Sequence, residues 1–285
     1  GSTNDLVARM LAQRFGDRLK GTFVVDNRPG AGGNIGTDAV AKAPPDGHAL
    51  LLGSNGALAT NRFLYSSLPF DADRDFTPIA FVGEIPIVFA VGPKVAAADL
   101  KELIALARAQ PGRIDIASPG NGTIGHFALL YLNTLAGVSF AHVPYKGGAP
   151  AATDVMNGSV AGIATPVVGF VAQLQSGALK GVAVAAPARM RELPAIATAA
   201  EQGIAIEASS LIGLLGPAGL PGRVVATLNR EVNEFVQSDE GRKRLADAGL
   251  QAVGGPPEKL AQALAADVAR WTRVVRAMGE LPKLD

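Results

Sequence analysis

The residues best equipped for chemistry stand in one short run, Ser118-Pro119-Gly120-Asn121-Gly122-Thr123-Ile124-Gly125-His126. It combines two hydroxyls, an imidazole and glycines whose backbone N–H groups no side chain shields. Pro144-Tyr145-Lys146-Gly147-Gly148 offers similar equipment and adds a cation. Donors of this kind hold an anion, because a helix N-terminus and bare N–H groups carry the positive end of the peptide dipole. Hardly any catalytic side chains accompany them. The chain has no Gly-x-Ser-x-Gly nucleophile elbow, and without cysteine it has no thiolate nucleophile. Either run alone could be an ordinary helix N-cap. Two of them at neighbouring strand ends favour an anion site, one that holds a molecule rather than transforming it.

The elements that must position these runs follow one grammar: a short apolar strand, a Gly-rich loop, then a helix. Residues 113–117 precede the first run and 139–143 the second, with helices expected over 124–135 and 149–156. Strand Phe23–Val25 leads into Asn27-Arg28-Pro29-Gly30-Ala31-Gly32-Gly33 and helix Asn34–Lys42, and Ala49–Leu52 leads into Gly53-Ser54-Asn55-Gly56. In an open α/β sheet, ligands bind beyond the carboxyl ends of such strands. Further strands are expected at 159–164 and 180–185, and further helices at Ala98–Ala109 and 167–176. The series from 113 to 185 should form a largely parallel sheet. Two apolar stretches, Ile79–Val91 and Leu211–Leu215, read as crossings between two lobes, with hinges near Glu84–Gly92 and Ser209–Gly216 and a cleft between. One lobe is expected over residues 1–90 and 215–285, the other over 91–214. Two helices close the chain, the second presenting Leu260, Leu264, Val268, Trp271 and Val275 on one face.

Composition agrees with a two-lobed globular protein. The chain has 285 residues, of which 48% are hydrophobic and only 5% aromatic, so its cores must be built mainly from Ala, Val, Leu and Ile. Lys+Arg 26 against Asp+Glu 25 gives a net charge of +1, with no basic patch to suit nucleic acid. No apolar run approaches the ~18 residues of a membrane span. Zero cysteines exclude disulfides and Cys-based zinc sites without choosing a compartment. The start looks cut. Ser2-x-x-Asp5 reads as a capping box directly before a helical pattern at Leu6, Val7, Met10, Leu11 and Phe15. A first strand and an export signal are expected ahead of it.

Other motifs carry less. Gly30–Gly36 spells a variant of the dinucleotide fingerprint, but four residues, Asp26 to Pro29, separate it from its strand. The next strand ends in Gly53-Ser54 rather than in an acid for the ribose. A structural turn fits better than a nicotinamide enzyme. Asp71-x-Asp73-x-Asp75 opens like a calcium loop, yet Phe76 and Val82 occupy the positions that need Gly and Glu. His48, His126 and His142 lack metal-ligand spacing. His126 suits a ligand bond or a structural tether, and His142, inside an apolar strand, reads as a core residue. No cofactor is expected.

Several strings in order, Asn27-Arg28-Pro29-Gly30-Ala31-Gly32-Gly33, Pro45-Asp46-Gly47-His48, Leu68-Pro69-Phe70-Asp71, His142-Val143-Pro144-Tyr145-Lys146-Gly147, Leu193-Pro194 and Pro217-Ala218-Gly219, resemble the solute receptors of tripartite tricarboxylate transporters, the Bug-type receptors. The resemblance spans essentially the whole chain. It implies an α/β architecture of the type II periplasmic binding protein fold, with two doubly wound lobes joined by two crossing segments. It also implies a periplasmic monomer that captures a small organic carboxylate and delivers it to membrane permease subunits. Ligand contacts carried over by position are Ser2, Thr3, Asn4 and Asp5; Ser118, Gly122, Thr123, Gly125 and His126; and Tyr145, Lys146 and Asp154. Asn55 and Thr165 complete the candidate set. Leu211 stands where the family often has an aromatic, and Ala164-Thr165-Pro166-Val167 departs from its usual segment. Recognition is expected mainly from neutral donors, with Thr123 among them and Lys146 as the single cation. The competing classes are a dinucleotide-dependent enzyme and an effector-sensing module of a regulator, which would need a basic recognition helix that this chain lacks.

Overall fold

Helix α1, Thr3–Leu19, buries Val7, Met10, Leu11 and Phe15 of the expected pattern and leaves Leu6 exposed, in a computed structural model that describes residues 3–278 and Lys283. Ser2 lies outside the described residues. The contacts of the described chain divide it into two units, residues 3–84 with 211–273, and residues 85–210 with 274–278. The last turn of the final helix thus falls with the second unit.

In the first unit, strand β1 (Leu51–Ser54) pairs antiparallel with β7 (Ser209–Pro217), Leu51 opposite Leu215 and Ser54 opposite Ile212. The first half of β2 (Phe76–Val91) pairs with the short strand β8 (Gln251–Ala252). Gly83 makes that pairing possible, because a Cβ there would lie 2.4 Å from the Gln251 carbonyl oxygen. Helix α2 (Asn34–Ala41) follows the glycine loop. Helix α7 (Gly222–Gln237) buries Leu228, Val232, Phe235 and Val236. Its buried Glu231 pairs with Arg14 at 3.2 Å and Arg18 at 3.3 Å of α1. Helix α8 (Asp239–Asp247) and helix α9 (Pro257–Met278) complete this part of the chain.

Three expectations change here. Phe23–Val25 is not a strand. Among the described residues β1 pairs with β7 alone, so Phe23–Val25 finds no ladder partner there. Phe23 packs on Phe15 with ring centroids 5.3 Å apart, while Val24 is 84% exposed. Among the described residues three helices, not two, follow β7. Ser238 ends α7 in extended backbone and caps α8 by accepting from the Gly241 N–H at 3.0 Å. On α9 the buried line is Leu260, Asp267, Trp271 and Val274. Leu264 packs against the core as expected, Val268 and Val275 are partly buried, and the carboxylate of Asp267 joins the buried line.

The second unit carries strands β3 (Asp115–Ser118), β4 (Ala141–Pro144), β5 (Gly162–Pro166) and β6 (Lys180–Val184). Helix α3 (Leu100–Ala109) precedes them, and between them run helices α4 (Ile124–Ala136), α5 (Gly148–Asn157) and α6 (Val171–Gln175). β3 is parallel to β4 and to β5, as the alternating pattern requires. The second half of β2 pairs antiparallel with both β5 and β6, so the sheet is mixed. The reason lies in connectivity. β2 enters this sheet as a continuing strand, without the helical crossover that enforces parallel pairing. Its residues Ile87–Val91 are buried on both faces, which explains their unbroken apolar run.

Local signals fix the helix ends. Asp99 caps α3 by accepting from the Glu102 N–H at 2.9 Å, and Glu102 reaches back to the Ala98 N–H at 2.7 Å. Gly137 and Gly158 close α4 and α5 in left-handed backbone, φ 60° and 80°.

Candidate functional site

The second unit gathers most of the expected site residues at the carboxyl ends of β3, β4 and β5. Three glycines show how tightly. A Cβ on Gly125 would stand 2.2 Å from the Ala164 carbonyl oxygen, so α4 begins pressed against the end of β5. A Cβ on Gly148 would meet the Phe170 ring at 3.0 Å and Thr165 Oγ1 at 3.3 Å. Gly120, at φ 143°, lies close to the Tyr145 carbonyl, which a Cβ would approach to 2.9 Å. The β3–α4 loop, the β4–α5 loop and Thr165 therefore share one small region. Two backbone bonds lock it, from the Tyr145 N–H to the Ser118 carbonyl at 3.0 Å and from the Gly147 N–H to the Pro119 carbonyl at 2.9 Å.

Side chains in this cluster divide by whether the fold already uses them. Thr123 is the N-cap of α4. Its hydroxyl donates to the Gly120 carbonyl at 2.8 Å and accepts from the His126 N–H at 3.4 Å. Its single proton is therefore engaged. The Tyr145 hydroxyl donates to Asp154 at 2.7 Å, and that bond to a carboxylate raises its pKa to about 12. The buried Ser118 hydroxyl donates to the Gly120 carbonyl at 3.1 Å and meets His142 Nε2 at 2.7 Å. Thr165, only 1% exposed, makes no side-chain hydrogen bond among the described residues, and the exposed Lys146 makes no ion pair.

The two histidines form a unit. Their rings stack with centroids 4.0 Å apart and planes 12° from parallel. His126 Nδ1 accepts the Gly122 N–H at 3.2 Å. Burial, and then the proximity of His142, lowers the His126 pKa to about 4, and burial lowers that of His142. His142 is thus no plain core residue. It is half-buried, hydrogen-bonded to Ser118 and stacked on His126. The register that pairs Ile116 with His142 in parallel strands sets Ser118 within its reach, a relation that no single-strand pattern reveals.

Backbone donors remain. The first N–H groups of a helix have no intrahelical acceptor, and in α4 those of Ile124 and Gly125 are left after Thr123 has taken that of His126. In α5, Gly148 and Ala149 hold the same position behind Gly147, which supplies no side-chain cap. Gly122 serves His126, and Gly125 serves by its lack of a side chain. Gly120, Gly148, Phe170 and His142 belong to the cluster too, though they are absent from the expected set.

The first unit holds Thr3, Asn4, Asp5 and Asn55. Thr3 opens α1. Asp5 accepts from Asn27 at 2.7 Å and pairs with Arg9 at 3.0 Å, and chiefly the Asn27 bond lowers its pKa to about 2. Asn4 and Asp5 line a cavity of about 830 Å³ whose other walls are largely apolar, among them Leu11, Phe15, Val24, Val25, Leu51 and Leu52. Residues 49–54, which include β1, line it as well. Asn55 is fully buried. Its amide donates to Asp267, and its oxygen accepts the Leu211 N–H at 3.1 Å. Asp267 also holds Arg270 at 2.6 Å, while burial keeps its pKa above the usual carboxylate value.

The remaining motifs are occupied with structure. Gly30, Gly32 and Gly33 take φ of 120°, 64° and 94°, and the Asn61 amide donates to the Gly32 carbonyl at 3.2 Å. Asp73 is held by Arg62 through two bonds of 2.9 and 2.8 Å, and Asp71 and Asp75 accept backbone N–H groups of their own loop. His48 is exposed and forms a turn with Asp46. Among the described residues no helix is long and apolar enough to cross a membrane.

Comparison with known proteins places these features in a group. The family model described as "Tripartite tricarboxylate transporter family receptor" matches residues 7–280. The solved structure of Rpa4515 from R. palustris with adipate is 32% identical, with a TM-score of 0.86 over 98% of this chain and 93% of that one. MatC from Rhodopseudomonas palustris with bound malate is 30% identical, with a TM-score of 0.81 over 96% and 95%. The periplasmic binding protein BugD is 29% identical, with a TM-score of 0.82 over 99% and 95%. The fold is the α/β fold of these type II periplasmic binding proteins.

Proposed function

This chain belongs to the tripartite tricarboxylate transporter family of receptors, and from that premise we propose that it is a periplasmic receptor that captures a small organic carboxylate and hands it to the permease subunits of a tripartite membrane transporter. It acts as a monomer and performs no chemical step on its ligand. The observation that carries the reading is the loop cluster of the second unit. There the glycines at 120, 125 and 148 let two helix starts and the end of β5 meet without side chains between them. Backbone N–H groups of Ile124, Gly125, Gly148 and Ala149 then serve one carboxylate, with Thr165 Oγ1 and Lys146 beside them. Neutral donors of this kind hold an anion without a buried countercharge and its desolvation cost. Adipate and malate, bound by two of the similar proteins, support small dicarboxylates as the ligand class. Thr3, Asn4 and Asp5 belong to the proposed ligand set through the family resemblance alone, and Asn55 serves first as a buried brace.

Thermal unfolding against a panel of adipate, malate, citrate and amino acids tests this. A true ligand at about 100 times its Kd stabilises the protein by ~2.7 kcal/mol. A panel in which no carboxylate raises the melting temperature would overturn the reading.

A further inference from the structure

Three Asn-Gly steps occur in the chain, Asn55-Gly56, Asn121-Gly122 and Asn157-Gly158. Such a step carries a latent reaction of its own. The glycine nitrogen is held by the chain close to the amide carbon of the preceding side chain, and no β-carbon shields it. Two conditions that only the fold sets decide whether it attacks: a free side-chain amide, and a base to take the proton of the nitrogen.

The three steps differ in both. Asn55 is fully buried, its amide donating to Asp267 and its oxygen accepting the Leu211 N–H at 3.1 Å. Asn157 is exposed, but it closes α5, and the Gly158 N–H goes to the Asp154 and Val155 carbonyls of that helix. A carbonyl oxygen accepts the hydrogen and is not basic enough to remove it. Asn121 is exposed, lies in a turn, and makes no side-chain hydrogen bond among the described residues. The Gly122 N–H points instead at an imidazole, since His126 Nδ1 accepts it at 3.2 Å. A ring nitrogen in that role offers a lone pair and carries no proton. Burial, and then the neighbouring His142, keeps the His126 pKa at about 4, so at neutral pH this nitrogen stays a free acceptor.

We propose that Asn121-Gly122 is a self-modification site, at which the loop deamidates with His126 Nδ1 as the proton acceptor. The Gly122 nitrogen gives its proton to Nδ1 and forms a bond to Asn121 Cγ. The Cγ–Nδ2 bond then breaks, and the imidazolium returns the proton to the departing nitrogen, which leaves as ammonia. Water opens the five-membered imide at either carbonyl, giving aspartate or isoaspartate. Either product puts a new carboxylate in the loop that starts α4, and isoaspartate also adds a methylene to the main chain ahead of Gly122. On the carboxylate-receptor reading, on which this consequence alone rests, the new charge repels the ligand. The loop then carries a slow clock that ends capture.

Incubation of the whole chain in mildly alkaline buffer, folded and in urea, tests the chemistry. Peptide mass spectrometry locates the amide-to-acid shift, and an isoaspartate-specific methyltransferase identifies the product. In the folded protein the shift should fall on Asn121 first, faster than in urea, while Asn55 and Asn157 lag. His126→Phe keeps an aromatic ring against His142 and loses Nδ1. It should slow Asn121 by about tenfold, less than a positioned base usually contributes, because this imidazole is a weak one. A shift that appears first at Asn157, or a rate at Asn121 that is slower than in urea or unchanged in His126→Phe, would overturn the proposal. The comparison with urea needs no variant. Calorimetry with adipate and malate tests the consequence. Asn121→Asp should bind about tenfold more weakly than wild type, the size expected of like charges facing each other across a partly screened loop. Asn121→Gln, whose longer side chain closes its ring slowly, should show no shift and keep wild-type affinity. An Asp variant as tight as wild type would remove the clock. Should adipate, malate and the wider panel all fail to bind wild type, the receptor reading falls, while the mass shift still decides whether the loop modifies itself.

Discussion

Asn55 in the first unit and the Ser118–His126 loop in the second begin from the same local grammar: a four-residue strand, then a loop of small polar residues. β1 runs into Asn55-Gly56, and β3 runs into Pro119-Gly120. Their fates differ. The Asn55 side chain is fully buried, and its partners Asp267 and Leu211 lie 212 and 156 positions away in sequence. In the second loop the side chains satisfy one another locally. Ser118, Thr123 and His126 bond within the loop or to the next strand, and it is the backbone N–H groups at the helix start that stay available. The lesson concerns polar residues in such loops. Residue type announces a capacity to bond, and only long-range partners decide whether that capacity serves the fold or a ligand.

The comparison breaks most visibly at Asn55. Asn55→Ala leaves a buried Asp267 oxygen and the Leu211 N–H without this partner. Removing one member of a buried hydrogen-bonded pair costs about 1–3 kcal/mol, and more where a charged group loses the partner. Urea unfolding should record a loss of that size. A change below ~1 kcal/mol would show that the amide is no brace. At Gly125 the expected effect is about 1–3 kcal/mol, the usual cost of overpacking, because an alanine Cβ would stand 2.2 Å from the Ala164 oxygen. Here stability and carboxylate affinity should fall together, since the start of α4 must move. Lys146→Ala should separate the two quantities. Stability should stay within ~0.5 kcal/mol and affinity should drop by about tenfold, as for a charge-assisted bond, measured by calorimetry. Thr123→Val should do the reverse. Loss of the N-cap costs ~1 kcal/mol, while affinity changes little because the hydroxyl proton already belongs to the Gly120 carbonyl. A tenfold loss of affinity without a stability change would return Thr123 to the ligand.

These contrasts also mark what a sequence can disclose. Helix α4 was legible as the helix over 124–135 that follows the Gly-rich run, whereas the apolar run of β2 was legible only as a crossing segment and not as a strand. The glycine loops were legible as places where a backbone is left bare. Phe23–Val25 was not, since an apolar triplet is a strand only when a neighbour offers it a ladder. α8 escaped because its helical pattern is polar, burying only Gly241 and Leu245. The Asn55–Asp267 bond joins two ends of the chain, and the His126–His142 stack depends on how β4 registers beside β3. Local patterns found the loops, and tertiary contact decided what their side chains do.

Acidification should sharpen the comparison, with the smallest effect but with opposite signs in the two regions. In the second unit, His126 and His142 are held neutral, His126 at about 4 against an ordinary 6.5. Above pH 6.5 neither the folded nor the unfolded chain is protonated there, and the stabilisation is fully present. As pH falls below 6.5 the unfolded chain takes up protons that the folded chain refuses, so stability declines toward about pH 4. In the first unit, burial raises the Asp267 pKa above its ordinary 3.8. The folded chain then binds a proton more readily than the unfolded one, and this group favours folding as pH falls through its raised value. Between about pH 6.5 and 5 the lowered carboxylates Asp5 and Asp73 keep their contributions, which they lose only further down, so the histidines act there against Asp267. Urea midpoints of wild type should decline across that window, and His126→Gln, which has nothing to protonate, should decline less. Equal slopes for the two proteins would mean that burial of the stack does not hold His126 neutral, and the contrast between a titrating loop and a titrating brace would disappear.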